Sequence, residues 1–423
     1  MEPRRLESLS AAERSALVDR GGELGAIRED VAEIVATVRE DGDDALRAYA
    51  AEFDDVAVES IDITDRVGAA ADAVADEVRE AIEHAARNIR TFHERQVPLD
   101  WREEYDGRTV GRRFRAVASA GVYVPGGTAA YPSSALMGVI PAVVAGVDHV
   151  AVATPPAAEL HPATAAAIRE AGADRVYQMG GAQAVAALAY GTETVDAVDL
   201  VVGPGNRWVT AAKAAVRGDV GIDFLAGPSE VLVLADGSAD AGLVAAELVA
   251  QAEHDPDASV VAVTDDPGLA GSVADAVAAE AAGQPREETI RAALANDASG
   301  VLVADSMDAA AAFAEAYAPE HLAIHAADAE RLLDAVPSAG SAFLGSSTPV
   351  AAGDYATGPN HVLPTGGQAR LVGGLSVDTF LRSTTVQRLD GAALAELQDT
   401  ITTLARAEGL EAHARSVERR FED

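Results

Sequence analysis

Residues 149–216 read HVAVATPPAAELHPATAAAIREAGADRVYQMGGAQAVAALAYGTETVDAVDLVVGPGNRWVTAAKAAV, and the fold can be worked out from this stretch. Short β-branched runs alternate in it with Ala-rich segments, so the pattern is strand, helix, strand, helix, strand, helix. Such alternation is typical of βαβ units, in which right-handed helical crossovers join parallel strands. The sequence therefore predicts a first α/β domain, which we place at residues 112–225.

A second alternating series begins at residue 230, with EVLVLAD, SVVAVTD, GVLVAD and HLAIHA as its strands. This series predicts a second α/β domain at residues 226–375. Long amphipathic patterns of helical spacing precede the first domain, and another follows the second. The expected fold class is α/β with two doubly wound Rossmann-like domains, an N-terminal helical lead-in (1–111) and a small C-terminal helical tail (376–423).

The charge of the chain limits its partners. It has 68 Asp and Glu against 32 Lys and Arg among 423 residues, which gives a formal net charge of −36. Phosphate repels a chain this acidic, so we expect no nucleic-acid partner. Excess surface carboxylates keep a protein hydrated where salt screens their repulsion, so we expect a cytoplasmic protein of a halophile. An ordinary acidic mesophilic protein is the alternative.

The chain has no cysteine, which excludes disulfides, thiolate zinc fingers, Cys-held iron–sulfur clusters and Cys nucleophiles. Its first fifteen residues lack the apolar segment of an export signal. Residues 116–147 carry no charge and are long enough to span a bilayer, but Gly and Pro residues divide them. We expect a buried strand, a Gly-rich turn and a core helix there, and no membrane partner.

Three Gly-rich turns each follow a predicted strand and open a helix: VPGG at 124–127, MGG at 179–181 and GPGN at 203–206. Their backbone amides could hold a phosphate group at a helix N-terminus. For any one of these turns taken alone, tight packing of the βα turn is the favoured explanation. The G-x-G-x-x-G signal of common dinucleotide-binding folds is absent.

Several histidines lie beside acids or amides. Gln251 and His254 are three residues apart at the end of a predicted helix, so both can face one point. An imidazole with amide or carboxylate oxygens suits Zn²⁺, and Asp354 and His413 could complete the set. The adjacent Glu320 and His321 suit general acid/base chemistry. On spacing alone, Gln251 and His254 could instead mark a solvated helix end. Glu320 and His321 could likewise be exposed polar residues at a helix-to-strand junction.

Taken together, eight blocks in family order resemble histidinol dehydrogenase, and they cover roughly residues 116–413. The first hundred residues match only in general character. The blocks are YVPGG from Tyr123, GGAQAVAALAYGTE from Gly180, VGPGNRWVTAAK from Val202, AGPSEVLV from Ala226, AQAEHDPDA from Ala250, APEHL from Ala318, GDYATGPNHVLPT from Gly353 and EGLEAH from Glu408.

This resemblance implies oxidation of L-histidinol to L-histidine through L-histidinal, the last step of histidine biosynthesis, with two NAD⁺ and one Zn²⁺ per subunit. The implied zinc ligands are Gln251, His254, Asp354 and His413. The implied acid/base pair is Glu320 and His321. The implied substrate contacts are Ser229, His361 and Glu408, together with the zinc ligands and His321. The implied NAD contacts are Tyr123, Gln183 and Asn206.

The resemblance also implies a homodimer with shared active sites, in which the swapped tail brings Glu408 and His413 to the partner's site. The chain departs from the family pattern at Pro359, where a polar residue is common. Two other classes stay open on the residues alone. A zinc-dependent hydrolase would use the same ligands with Glu320 but would not need three Gly-rich turns. An acidic binding protein would explain the charge but not the clustering of His with acids and amides.

Overall fold

The computed structural model describes residues 1–18, 20, 24–126 and 130–422, so Gly127 of the first Gly-rich turn lies outside the described residues. These residues group into two units. The first comprises Met1–Gln96 and Val117–Phe380, and the second comprises Val97–Ala116 and Leu381–Asp423. Each unit is described by itself below.

The elements are numbered in chain order. Those before residue 117 are β1 (Arg4–Arg5), α1 (Ala11–Val18), α2 (Arg28–Phe53), α3 (Thr64–Asp72), α4 (Asp76–Glu94), β2 (Trp101–Tyr105) and β3 (Arg108–Ala116). Those of the first alternating series are β4 (Ser119–Tyr123), α5 (Pro132–Ala145), β5 (His149–Thr154), α6 (Pro162–Ala171), β6 (Arg175–Gln178), α7 (Gly181–Tyr190), β7 (Leu200–Val202), α8 (Arg207–Val216) and β8 (Gly221–Ile222).

The second series and the C-terminal part continue this numbering. The second series contains β9 (Glu230–Ala235), α9 (Ala241–Ala252), β10 (Ser259–Thr264), α10 (Pro267–Glu280), α11 (Glu287–Ala295), β11 (Gly300–Val303), α12 (Met307–Tyr317), β12 (His321–His325), α13 (Ala329–Ala335), β13 (Ser341–Leu344) and α14 (Val350–Tyr355). The last elements are β14 (Leu381–Leu389), α15 (Gly391–Ala407) and α16 (Glu411–Glu418).

Both parallel sheets lie in the first unit. The first sheet has the order β6-β5-β4-β7-β8, and the second has the order β1-β11-β10-β9-β12-β13. All six residues of β9 are buried, as are all six of β10. Strands covered by helices on both faces have continuous apolar sequences, so β-branched runs are sufficient to predict these strands. The predicted α/β class with two parallel sheets and helical ends is confirmed.

The two sheets contribute opposite ends to the site described below. In the first sheet, the segments that line it follow β4, β5, β6 and β7, at the carboxyl ends of the strands. In the second sheet, they precede β9 and β12, where Ser229 and Glu320 stand just before the strands begin. Parallel strands present all their carboxyl ends at one edge, so the first sheet lines the cavity with its carboxyl edge and the second with the amino ends of β9 and β12.

The second unit contains a three-stranded antiparallel sheet, β14-β3-β2, followed by α15 and α16. Strand β2 and the first residues of β3 fall in the segment predicted as a helical lead-in (1–111), and β14 falls in the predicted helical tail. All five residues of β2 are exposed, so no apolar alternation marks this strand. The hairpin turn does have a signal, since Asp106 and Gly107 both have positive φ, 47° and 75°. An Asp-Gly pair of this kind forms a type I′ turn.

Residues 116–147 form β4 and α5, with the first Gly-rich turn between them, as expected from the breaks in their apolar run. Pro132 stands in the first turn of α5, and Pro141 lies inside the helix. In the part of the chain that the structure describes, no helix combines the length and the apolar character needed to cross a bilayer.

Candidate active site

The first unit contains a cavity of about 1170 Å³. Ten of the twelve site residues expected from the sequence line it, although they are spread over 239 positions of the chain from 123 to 361. They are Tyr123, Gln183, Asn206, Ser229, Gln251, His254, Glu320, His321, Asp354 and His361. The remaining two, Glu408 and His413, belong to the second unit and are exposed.

Glu320 and His321 are buried at the start of β12. His321 Nδ1 lies 3.5 Å from Glu320 Oε2, and His321 Nε2 lies 3.6 Å from Asp354 Oδ1. Within the described residues, Nε2 has no hydrogen-bond partner. It is therefore the imidazole nitrogen that no described protein group engages.

One residue, Glu230, positions both members of this pair through its backbone. Its N–H donates to Glu320 Oε2 at 2.7 Å, and its carbonyl oxygen lies 2.9 Å from His321 Nδ1. A carbonyl oxygen can only accept, so Nδ1 carries the proton and Nε2 of the neutral ring is unprotonated. The tautomer that can act as a base is thus selected by the first residue of β9.

The side chain of Glu230 is itself held from two sides. Arg20 binds it through two charge-assisted hydrogen bonds of 2.9 Å, and the Gly366 N–H donates to it at 2.7 Å. The Arg20 guanidinium also lies over the Tyr317 ring, 3.3 Å from its centroid. Sequence reasoning missed Arg20 because it lies 210 positions before Glu230 and outside every matching block.

We expect Glu230→Gln to lower kcat by roughly 10- to 100-fold while changing KM by less than about threefold, because misplacing the pair weakens chemistry more than binding. The amide also leaves the Arg20 charge buried without a carboxylate. Steady-state kinetics on the variant would measure this. Asp308→Asn, which breaks the exposed Arg331–Asp308 pair, is the matched control and should change neither constant. A Glu230→Gln enzyme with normal kcat would remove the positioning role.

The surroundings shift the pKa values of the pair. Burial raises the pKa of Glu320, and the charge of Glu230 adds to this effect while His321 opposes it. Burial alone would lower the pKa of His321, but the carboxylates of Glu320 and Asp354 raise it well above its usual value. An imidazolium formed at His321 is therefore stabilised by its neighbours.

Gln251, His254 and Asp354 share one part of the cavity wall. Gln251 is buried near the end of α9, whereas His254 is exposed just beyond that helix. Protein atoms around the His254 imidazole nevertheless desolvate it and lower its pKa, which favours the neutral form that binds metal ions. Burial would raise the pKa of Asp354, but the nearby ring of His321 lowers it, which favours the carboxylate.

No three His, Asp or Glu side chains of the described residues are arranged to enclose a metal ion. His254 and Asp354 supply two such donors in the cavity, and Gln251 supplies an amide oxygen. This set of one nitrogen and two oxygens suits a borderline cation such as Zn²⁺, but a tetrahedral site needs a fourth ligand. The donor types of these three residues are therefore compatible with zinc, which would need one further ligand.

The expected substrate contacts differ in how they are held. His361 Nδ1 lies 3.0 Å from the Asp354 carbonyl oxygen, and its Nε2 lies 3.3 Å from Ser134 Oγ. Burial lowers its pKa and favours a neutral ring. The preceding Asn360 donates to the Met137 carbonyl at 2.6 Å, which anchors the loop after Pro359. Ser229 lies in the wall just before β9.

The expected NAD contacts lie along the first sheet. The Tyr123 hydroxyl accepts a hydrogen bond from the Gly181 N–H at 3.1 Å, and burial raises the pKa of Tyr123 to about 12. Gln183 is buried in α7. Asn206 caps α8, because its side-chain oxygen accepts from the backbone N–H groups of the second and third helical residues at 3.0 and 3.2 Å.

The single lysine of the chain supports the third Gly-rich turn. Lys213 is buried, forms an ion pair with Asp223, and donates to the Gly203 carbonyl at 3.0 Å. Asp223 Oδ2 accepts the Gly203 N–H at 2.8 Å. Gly203 has a φ of 115°, which disfavours other residues, and the ion pair holds both of its backbone polar groups. The turn that carries Asn206 is thereby fixed.

Comparison with known proteins gives a consistent result. The family profile of histidinol dehydrogenase matches residues 20–421. The chain is 68% identical over 422 residues to histidinol dehydrogenase of Haloarcula marismortui, with all of both chains covered. It is 65% identical over 424 residues to that of Halobacterium salinarum, again with full coverage. The crystal structure of histidinol dehydrogenase from Elizabethkingia anophelis superposes with a TM-score of 0.93 at 36% identity, covering 98% of this chain and 96% of that one.

Proposed function

The chain belongs to the histidinol dehydrogenase family, and from this premise we propose that it oxidises L-histidinol to L-histidine through L-histidinal, with two NAD⁺ and one Zn²⁺ per subunit. The observation that carries the proposal is the meeting of ten expected residues in one cavity. Donors suited to a metal lie there with a buried acid/base pair and the Gly-rich turns of the first sheet. The relatives from halophilic archaea agree with the acidity of the chain.

Zinc would be held by Gln251, His254 and Asp354 of one subunit and by His413. When bound, it supplies Lewis acidity and a template for the substrate imidazole and amine. The chain prepares these donors in advance. Asp354 is held as a carboxylate by His321, and the carbonyl of the same residue orients His361. One residue thus links the metal ligands, the base and a substrate contact.

His321 is the base of the first oxidation. Its Nε2 takes the proton of the substrate hydroxyl while the alcohol carbon loses hydride. The Glu230 carbonyl holds Nδ1–H, so Nε2 stays the unprotonated, basic nitrogen of the neutral ring. Glu320 and Asp354 stabilise the imidazolium that forms, because their negative charges raise the pKa of His321.

Glu320 is the base of the second oxidation. A chain without cysteine cannot form a thiohemiacetal, so the aldehyde must be oxidised through its hydrate. Glu320 takes a proton from the water that adds to the histidinal carbonyl. Burial raises the pKa of Glu320, which makes its carboxylate a stronger base than that of an exposed glutamate. The Glu230 N–H keeps its carboxylate beside His321.

The NAD⁺ cofactor would be bound along the edge of the first sheet by Tyr123, Gln183 and Asn206. NAD⁺ would supply the hydride acceptor for both oxidations, once for the alcohol and once for the hydrate. Incubation of purified protein with L-histidinol and NAD⁺ tests the proposal directly, since two equivalents of reduced nicotinamide should form for each histidine. A metal-dependent hydrolysis without any reduced nicotinamide would instead support the hydrolase alternative.

We further propose that a second copy of the chain completes each site. Glu408 and His413 are exposed in the second unit, although the resemblance assigns both to the site. This unit also exposes large apolar side chains, including Leu99 at 84% and Leu404 at 59%. Apolar side chains grouped on a small unit are typical of a surface that packs against a partner. A swapped dimer would bury them and bring His413 to the other subunit's zinc.

Dilution into low salt should therefore lose dimer, zinc and activity together. The 36 excess negative charges repel one another when salt no longer screens them, and this opposes association of two acidic subunits. Light scattering, zinc content and turnover measured across one salt series would follow the three losses. A fully active monomer at low salt would contradict both the shared site and the salt dependence.

Mixing two inactive variants, His254→Ala and His413→Ala, is the control for this prediction. In a shared-site dimer, each mixed dimer has one site with both lesions and one with neither. Activity should then return on subunit exchange, to as much as about half of the sites present in mixed dimers. No recovery after proven exchange would place His413 in the site of its own subunit.

A further inference from the structure

Asp54 follows the last residue of α2 and lines the cavity, yet neither the sequence blocks nor the proposed chemistry uses it. Its Oδ2 atom is buried and has no hydrogen-bond partner among the residues that the structure describes. Burial raises the pKa of Asp54, and no donor opposes the effect. An unpaired acceptor in a cavity wall is unfavourable unless a ligand supplies the donor.

The Asp54 carboxylate lies in the part of the cavity where the NAD contacts are expected. Its negative charge contributes to the raised pKa of Tyr123, so the two groups lie near each other. Tyr123 is in turn hydrogen-bonded to Gly181, at the second Gly-rich turn. Ile34 and Phe53 of α2, the helix that Asp54 follows, add apolar side chains to the wall. The unpaired acceptor thus lies beside the expected nucleotide contacts.

The charges near Asp54 disfavour a phosphate group and favour ribose hydroxyls as the bound group. Within the described part of the wall, Arg286 is the one Arg or Lys, and it donates to the His254 carbonyl at 3.4 Å. That contact places the guanidinium beside a proposed zinc ligand. The lining near Asp54 instead adds a second carboxylate, Glu52. A phosphate there would meet like charges and no cation, whereas ribose hydroxyls would supply the missing donors.

We propose that Asp54 accepts hydrogen bonds from the adenosine ribose hydroxyls of the cofactor and makes the site selective for NAD⁺ over NADP⁺. The carboxylate turns toward the cavity to do so and gains the donors that the chain does not provide. In NADP⁺ a phosphate replaces the hydrogen of the ribose 2′-hydroxyl. The ribose therefore loses one hydrogen-bond donor and gains negative charge beside Asp54. This inference rests on the proposed function, because it assumes that the cavity binds a nicotinamide dinucleotide.

The test compares the unaltered protein with Asp54→Asn, Asp54→Ala and Asp55→Asn. Calorimetry measures binding of ADP-ribose and 2′-phospho-ADP-ribose, and initial rates are measured with NAD⁺ and NADP⁺. Asp54→Ala should raise KM for NAD⁺ roughly 10- to 100-fold, because a hydrogen bond to a charged group is lost, with kcat changed less than about threefold. The preference for ADP-ribose over its 2′-phosphate should fall by a similar factor.

Asp54→Asn should show a smaller effect in the same direction, since it keeps one acceptor but loses the charge. It is also the variant expected to fold normally, because burial already favours the neutral carboxyl. Asp55→Asn is the matched control. Asp55 is exposed, does not line the cavity, and has a φ of 54°, which Asn tolerates.

The outcomes separate this inference from the proposed function. Unaltered protein that binds ADP-ribose through Asp54 but does not oxidise histidinol would refute the function and leave the inference standing. Unaltered protein that oxidises histidinol with NAD⁺, together with an unchanged NAD⁺/NADP⁺ preference in both Asp54 variants, would overturn the inference alone. Failure of the unaltered protein to bind ADP-ribose would overturn the inference whatever its activity. An Asp55→Asn effect equal to that of Asp54→Asn would also overturn it.

Discussion

The Glu320→Gln variant should oxidise L-histidinal roughly 10²- to 10⁴-fold more slowly than the unaltered enzyme, the range that loss of a general base usually produces. Its oxidation of L-histidinol to L-histidinal should fall by less than about tenfold, because His321 and not Glu320 takes that proton. The side-chain amide is nearly isosteric and can still accept the Glu230 N–H. It cannot take a proton from water. The loss should therefore be confined to the step that consumes water.

Single-turnover rates with each substrate measure the two half-reactions separately. In the unaltered enzyme, burial raises the pKa of Glu320, so the basic carboxylate is lost as pH falls through that raised value. Histidinal oxidation should decline with acid from a higher pH than an ordinary glutamate would give. The variant should lack this decline. Equal slowing of both half-reactions would remove the separate roles, and inhibition by thiol-alkylating reagents would contradict a mechanism without cysteine.

His254→Ala should abolish turnover and weaken zinc binding by more than about 100-fold. Removing a residue that merely orients a ligand already costs about 10- to 100-fold in affinity, so removing a ligand should cost more. The fold should survive, because His254 lies beyond the end of α9 and is exposed. The hydrogen bond between its carbonyl and Arg286 involves only the backbone of residue 254 and is kept.

Metal analysis after dialysis against a chelator series measures the affinity, and circular dichroism with thermal melting checks the fold. His84→Ala is the matched control, since His84 is an exposed histidine of α4 that does not line the cavity. That variant should retain full zinc and full turnover. Normal zinc occupancy and turnover in His254→Ala would rule out its role as a ligand.

Local pattern was enough to predict the two parallel sheets. A strand buried on both faces must be apolar along its whole length. The segments EVLVLA of β9 and SVVAVT of β10 can therefore be predicted as strands from their own sequence alone. The hairpin β2–β3 shows the opposite case. Its first strand is exposed throughout, so burial leaves no pattern in its sequence. The Asp106-Gly107 turn is the local signal of the hairpin, and it is not among the predicted features.

The candidate site was reached from sequence through motifs, which name residues but not their arrangement. Spacing could bring Gln251 to His254, because the two residues are only three positions apart. It could not bring Asp54 to Tyr123 or Arg20 to Glu230, because these pairs depend on how α2 and the N-terminal segment pack on the sheets. Local periodicity reports which face of an element is buried. It carries no information on which distant element covers that face. The unpaired carboxylate of Asp54 and the buried Arg20–Glu230 ion pair both depend on that tertiary packing.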